Sequence, residues 1–316
     1  MIENGPASKY YDCFYDLGSG KITMPDDGAK PKYKCFAYVP HMPKTNTANP
    51  FIKDYFCKVG EYWIKEFDVD GWRLDVANEV DDDFLRAFRK SVKNAKADAL
   101  VIGEVWENAA HYINNLGMDS AMNYDFRRFT AGFIAENKLD AKQFDARVTT
   151  LLMRYQKHAV PAQLNLLDSH DVSRFLTLCG GDLDKMEIAI LFQMTFIGMP
   201  SVFYGDEAGL MGTTEPEYRR AMDFSQSHAL YDVYRKLINL RNTYSDLRSD
   251  SFETLVAEGS VYGYRRGSIV IYFNAGDRDV RIEQISGYEI LKKNYACGIL
   301  NRGGYVVINT SQPANI

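Results

Sequence analysis

From Asn49 to Tyr244 the chain alternates short, nearly uninterrupted apolar runs with longer stretches of helical period, and no other feature restricts its fold as much. Asn49 can cap a helix and Pro50 suits the first helical position. Ile52, Tyr55, Phe56, Val59, Trp63 and Phe67 then recur at helical spacing and predict roughly four turns. "GWRLDVANE" (71–79), "ALVIGEVW" (99–106), "SAMNYDF" (120–126), "QLNLLDSHD" (163–171) and "PSVFYGDEAG" (200–209) read as strands. Between them, Asp81 to Asp83 open a helix carrying Phe84, Leu85, Phe88 and Val92, and further helices fall at 183–197 and 228–244. Apolar strands separated by amphipathic helices mean an α/β fold, with parallel strands covered by helices.

The flanks differ from this middle. Residues 1–48 are rich in Gly, Pro, Lys and Tyr, show no sustained period and read as a long loop. Beyond 248, "FETLVA", "SVYGYRR", "SIVIYFNA", "DVRIEQI" and "YVVINT" are short, partly alternating strands joined by turn residues, which fits a small antiparallel β-sandwich. The expected division is therefore 1–48, 49–248 and 249–316.

Composition narrows the function. A net charge of −5 with no long Lys/Arg run offers no phosphate track, which argues against nucleic acid. Cys13, Cys35, Cys57, Cys179 and Cys297 are odd in number and lack C-x-x-C spacing, so neither a disulfide framework nor a zinc site is supported, and reduced intracellular thiols are expected. No basic region followed by an apolar core opens the chain, and no run approaches 18 uninterrupted apolar residues. The reading is cytoplasmic, without a membrane partner. The 21 Tyr and 18 Phe suit a protein that handles flat apolar faces such as those of sugar rings.

Polar residues gather at the C-terminal ends of the strands: Asp75, Glu104, His170 with Asp171, and Asp206 with Glu207. Parallel α/β sheets and barrels place their chemistry at that rim, and the three carboxylates Asp75, Glu104 and Asp171 would converge if the strands curl into a barrel. Side chains alternate along a strand, so Arg73 and Asp75 share one face, and a guanidinium there keeps the aspartate anionic. Glu104 follows an apolar run and precedes Val105 and Trp106, a setting that suits a proton donor. An anionic carboxylate opposite a protonated one is the arrangement of glycoside hydrolysis, with Asp171 left to stabilise the distorted sugar and His170 to bond a hydroxyl. Taken singly, Arg73 with Asp75 reads equally as a structural ion pair, Asp81 to Asp83 as helix-capping acids, and Asp206 and Glu207 as loop acids shaping the rim. Only the combination is specific.

With these motifs the chain resembles the α-amylase family of glycoside hydrolases, and within it the neopullulanase, cyclomaltodextrinase and maltogenic amylase group. "GWRLDVANE" is similar to the strand-four motif, which implies Asp75 as nucleophile and Arg73 as its partner. "GEVW" is similar to the strand-five motif, with Glu104 as acid/base and Trp106 among the sugar-binding residues. "LLDSHD" resembles the strand-seven motif, with Asp171 as transition-state stabiliser, His170 binding substrate and Arg174, just beyond, also expected to bind substrate. "HMPKTN" (41–46) resembles the M-P-K-L-N stretch of the neopullulanase group, with Thr45 in place of leucine, and Asn78 and Glu79 match positions that line the acceptor side there. "YRRAMDF" (218–224) is similar to a later segment whose arginine, here Arg219, approaches bound sugar.

The resemblance implies a partial (β/α)8 TIM barrel, strands four to eight, followed by the C-terminal β domain. The first three strands and the D-x-V-x-N-H motif of strand three have no counterpart, and residues 1–48 correspond to the loop domain after that strand. The chain is thus expected to be an N-terminally truncated gene product or a fragment whose Met1 is internal, and a natural minimal form otherwise. The implied activity is a retaining glycosidase of starch and α-glucan metabolism, cleaving α-1,4 or α-1,6 bonds in cyclodextrins, maltooligosaccharides or pullulan. No cofactor is implied; calcium, where the family binds it, often uses the absent N-terminal region. An α-glucan oligosaccharide is the expected partner, and the resemblance leaves room for a homodimer of the full-length form. The competing reading is an inactive remnant that at most binds α-glucan.

Overall fold

The capping signals at Asn49 and Pro50 hold in the computed structural model, which describes residues 4–18, 25, 29–225, 228–283 and 285–311. The chain forms two compact units, Met1–Glu104 with His111–Asp119, and Val105–Ala110 with Ser120–Ile316.

In the first unit, the described residues before Asn49 make single 3-10 turns and isolated antiparallel bridges, Phe14 to Thr45, Asp16 to Tyr33 and Cys35 to Pro43, as a long loop should. Helix α1 (Pro50–Phe67) starts where the Asn49 side chain accepts the Phe51 and Ile52 N–H groups at 2.9 and 3.4 Å. Strand β1 (Gly71–Leu74) follows, then α2 (Asp82–Ala95), capped by Asp81, and β2 (Leu100–Gly103). β1 and β2 pair in parallel, Gly71 opposite Leu100 and Leu74 opposite Gly103. A Cβ on Gly71 would lie 2.1 Å from the Leu100 carbonyl oxygen, at φ +153°, so glycine is required to bring the strands together. α1 and α2 approach closely at Gly60, whose missing Cβ makes room for the Phe88 ring. Asp119 closes the unit by accepting the Val101 N–H at 2.8 Å and pairing with Arg89 and Lys93.

α3 (Ala110–Asn114) leads into the second unit. There β3 (Ser120–Ala121), α4 (Tyr124–Thr130), a π-helical turn (Ala131–Ala135) and α5 (Ala141–Arg154) precede β4 (Leu164–Leu166). α6 (Phe175–Leu178), α7 (Leu183–Thr195), β5 (Met199–Ser201), α8 (Glu215–Tyr218) and α9 (Tyr231–Thr243) follow. β4 and β5 pair in parallel from Leu164 opposite Met199 to Leu166 opposite Ser201. α7 is buried around most of its circumference, which matches its nearly continuous apolar sequence from Ile188 to Met194.

The strands are shorter than the sequence suggested. "SAMNYDF" is a strand only at Ser120–Ala121, because Asn123 accepts the Phe126 N–H at 3.1 Å and starts a helix. "PSVFYGDEAG" is extended only to Ser201; Gly205 and Gly209, at φ +86° and +72°, turn the rest.

β6 (Glu253–Glu258), β7 (Val261–Arg266), β8 (Ile269–Asn274), β9 (Val280–Arg281), β10 (Tyr288–Ala296) and β11 (Ile299–Asn309) form the expected antiparallel C-terminal domain. They make one hydrogen-bonded network in the order β10-β11-β8-β7-β6, with β9 beside β11. One face, through Tyr262, Tyr264 and Phe273, joins a core with Phe126, Phe144 and Phe192; the other packs Val270, Leu300, Val306 and Ile308 together. Arg266, wholly buried on the Tyr262 and Tyr264 side of β7, donates to the carbonyls of Leu247, Ser249, Ser251 and Thr195, and burial lowers its pKa to about 10.

Among the described residues no helix is long and apolar enough to cross a membrane, and all five cysteines are free thiols.

Candidate active site

In the first unit the site is built on the ends of β1 and β2. Arg73 leaves β1 on the same side as Asp75, and its Nη1 lies 2.5 Å from Asp75 Oδ1. Its Nη2 lies 2.9 Å from Glu104 Oε1, just beyond β2. One planar guanidinium therefore carries both carboxylates, which places them on one side of the strand ends and within the span of one sugar linkage. Their surroundings differ sharply: the Asp75 side chain is 72% exposed and that of Glu104 3%. The apolar setting read from the sequence is only half of Glu104's environment, since its Oε2 also accepts the Val76 N–H at 3.1 Å.

That N–H is aimed by an unusual backbone. Val76 sits at φ +41°, ψ +49°, a left-handed conformation that a β-branched residue avoids, at a cost of about 1–3 kcal/mol. The turn ends β1 directly after Asp75, and Ala77 N–H then bonds the Glu104 carbonyl at 3.0 Å. Beside it, Lys44 from the "HMPKTN" stretch pairs with Glu79 of "ANE" at 3.1 Å, so the two motifs that suggested the subgroup touch each other. Met42, Lys44, Thr45, Asp75, Val76 and Glu79 line a groove of about 330 Å³. Asn78 is exposed, and its carbonyl accepts the Tyr112 hydroxyl at 3.1 Å.

In the second unit, Asp171 is held on both sides, by His170 Nε2 at 3.0 Å and by the Arg219 guanidinium, Nη2 at 2.6 Å. Arg219 also donates from Nε to the His170 carbonyl at 2.6 Å, which fixes the three residues as one group. Asp171 lines a pocket of about 610 Å³ with Trp106, Tyr124, Arg127, Arg128 and Glu136. Trp106, 49% exposed, stacks on Tyr124 with ring centres 4.7 Å apart, and such an aromatic platform suits a sugar face. Tyr124 is reached through the Asn123 cap, the local signal that turns "SAMNYDF" from strand to helix.

Two expectations are corrected here. Arg174 does not face a binding surface: it is 0% exposed, donates to the carbonyls of Tyr204 and Tyr218, and pairs with Asp206 at 2.9 Å. Asp206 is not a rim acid either, but is buried against Asp168, a residue the sequence reading passed over. The two carboxyls share a hydrogen bond. Burial raises Asp168 to about 6, and burial together with the Asp168 charge raises Asp206 well above the usual range. The Asp168 side chain also accepts the Phe175 N–H at 2.7 Å, so this pair anchors α6 beyond the Asp171 segment.

The comparisons with known proteins agree with this geometry. The family described as "Alpha amylase, catalytic domain" matches residues 26–229. A cyclomaltodextrinase of Thermoanaerobacter pseudethanolicus is 40% identical over 303 residues, 93% of this chain and 52% of the relative. Neopullulanase 2 of Thermoactinomyces vulgaris is 42% identical over 253 residues, 78% of this chain and 42% of the relative. The chain thus spans about half the length of the curated relatives it matches. The acarbose-soaked debranching enzyme of Nostoc punctiforme superposes with a TM-score of 0.88 at 28% identity, covering 98% of this chain and 71% of that one. The α/β part is accordingly a partial (β/α)8 TIM barrel followed by the antiparallel domain. Strand-end acids on a shared arginine, the subgroup motifs in contact and the extent of the match agree: the chain belongs to the α-amylase family, beside its cyclomaltodextrinases, neopullulanases and maltogenic amylases.

Proposed function

We propose that the protein is a retaining glycoside hydrolase acting on α-1,4 or α-1,6 bonds of cyclodextrins, maltooligosaccharides or pullulan. The observation that carries this reading is Arg73 bridging an exposed carboxylate and a buried one, Asp75 and Glu104. An Asp75 oxygen attacks the anomeric carbon while the bond to the leaving oxygen breaks, and Glu104 gives that oxygen its proton. In the second step water attacks the same carbon, Glu104 takes the water's proton, and the ester to Asp75 is released. Asp171, with His170 and Arg219, serves the distorted sugar, and Trp106, Asn78 and Glu79 contact neighbouring units. We place this work in the cytoplasm, in keeping with five free thiols.

The test is hydrolysis of cyclodextrin, maltoheptaose and pullulan by the purified chain, with mass spectrometry after reaction with an activated α-glucosyl fluoride. The expected result is a glucosyl adduct on the peptide holding Asp75, and turnover lowered at least about 10⁴-fold in Asp75→Asn. Unchanged turnover in that variant refutes the assignment. A second reading is a protein that binds α-glucan without cleaving it. Sugar binding with neither turnover nor adduct favours it.

A further inference from the structure

The pocket holding Asp171 does not end at its wall. Arg128 and Glu136, which line it, also line a second groove of about 370 Å³ with Phe129, Gly132, Leu139 and Arg147. Leu139 and Arg147 in turn border a third depression of about 310 Å³ that runs past Gln143 and Thr150 of α5. All of these residues lie in the second unit.

The division between the first two spaces is a π-helical turn. Ala131, its first residue, faces the Asp171 pocket, and Gly132, its second, faces the groove. π-turns cost helical regularity and occur often at functional sites. Here the turn is held from behind: the Gly132 carbonyl accepts the N–H groups of Lys138 at 2.7 Å and Leu139 at 3.0 Å, and Asn137 takes a left-handed φ of +53° to allow it. A Cβ on Gly132 would press on Leu139 at 3.2 Å, so glycine keeps that side of the groove open.

The groove is rich in hydrogen-bond donors. Phe129, buried, lies beneath it beside Leu139, and the Arg128 and Arg147 guanidinium groups stand over its ring at 5.2 and 5.7 Å. Arg128 is tied to Asp125, and Lys138 to Glu136. Among the described residues, no carboxylate pairs with Arg147, which leaves its donors for hydroxyl oxygens. Donors gathered beside the half-buried Leu139 fit the hydroxyls of a glucosyl unit, with the arginines already held in place by the ring beneath them.

We infer that this groove is a further binding site for the outer glucosyl units of a long α-glucan whose inner units occupy the Asp171 pocket. The inference rests on the function proposed above and adds a dependence on chain length. Arg147 is a binding residue remote from the chemistry.

Calorimetric titration of Glu104→Gln, a form that leaves the sugar intact, with maltotriose and maltoheptaose tests it. Maltoheptaose should bind at least about tenfold more tightly than maltotriose, and Arg147→Ala should remove about fivefold or more of that advantage while leaving maltotriose unchanged. Hydrogen exchange gives a second readout that needs no groove variant: maltoheptaose, not maltotriose, should protect residues 138–147, which line the groove and not the Asp171 pocket. Equal binding of the two sugars, equal losses for both in Arg147→Ala, or no protection of 138–147 overturns the groove and leaves the proposed function standing. Binding of neither sugar overturns both.

Discussion

The molecule uses one set of ingredients twice, an arginine and two carboxyl groups at the ends of paired parallel strands. Arg73, within β1, bridges Asp75 and Glu104 just past the ends of β1 and β2; beyond β4 and β5, Arg174 pairs with Asp206, which is bonded to Asp168. In the first group water reaches Asp75 freely and Arg73 partly, and in the second Arg174 and Asp206 are sealed. The exposed group can exchange its partner for a substrate. The sealed one has its hydrogen bonds committed to backbone, with Arg174 on the Tyr204 and Tyr218 carbonyls and Asp168 on the Phe175 N–H, and serves the fold. Solvent access, more than residue type, decides which of the two is available for chemistry.

Removing each arginine should separate the two groups most widely. Arg174→Ala strands two buried carboxyls and two carbonyls, and is expected to cost about 3–5 kcal/mol, measured by urea unfolding. Arg73→Ala also takes a partner from buried Glu104, but Val76 N–H remains and Asp75 is hydrated, so about 1–2 kcal/mol is expected, with loss of turnover. Equal stability losses would show that burial does not distinguish the groups.

The pH dependence of stability is the next largest contrast. Asp168 is raised in the fold, to about 6 from 3.8. The folded chain therefore holds a proton between those values that the unfolded chain releases. Its contribution is full below about pH 4 and is lost as pH rises through about 6, a decline on the order of 1–3 kcal/mol. Asp246, lowered by its hydrogen bonds to Ser268, has the opposite sign, so its contribution is lost as pH falls. The test is thus a difference: unfolding free energies of the protein and of Asp168→Asn from pH 4 to 8 should diverge through pH 6, and parallel curves would remove the shared proton from the account.

The sequence made the first group legible and hid the second, for a physical reason. Alternation along β1 puts Arg73 and Asp75 on one face whatever the rest of the chain does, and the apolar run before Glu104 forecasts its burial. Arg174 and Asp206 are 32 residues apart and meet only because β5 lies beside β4 and the Gly205 and Gly209 turns fold Asp206 inward. Nothing local to "LLDSHD" distinguishes Asp168, which the fold buries, from Asp171, which it leaves partly open. Helix starts at Asn49 and Asp81 are readable because a cap is a contact within three residues. Strand ends were overestimated where the next residues were apolar but turned.

The smallest expected change in stability probes what the exposed group has and the sealed one lacks, a strained residue. Val76 holds a left-handed turn against its β-branch and thereby directs its N–H at Glu104. In Val76→Gly the conformational penalty disappears, about 1–3 kcal/mol. Against it stand about 0.5–1 kcal/mol of extra unfolded-chain freedom and a similar loss of half-buried apolar surface. These offset each other, so the urea midpoint should barely move. Turnover should not be spared: with glycine the turn is no longer confined to one conformation, the donor to Glu104 wanders, and kcat should fall about tenfold with KM unchanged, the pattern of a residue that positions another without touching substrate. A kcat that stays level would mean the strain is incidental to the site, and a KM that rises alone would mean Val76 meets the sugar itself.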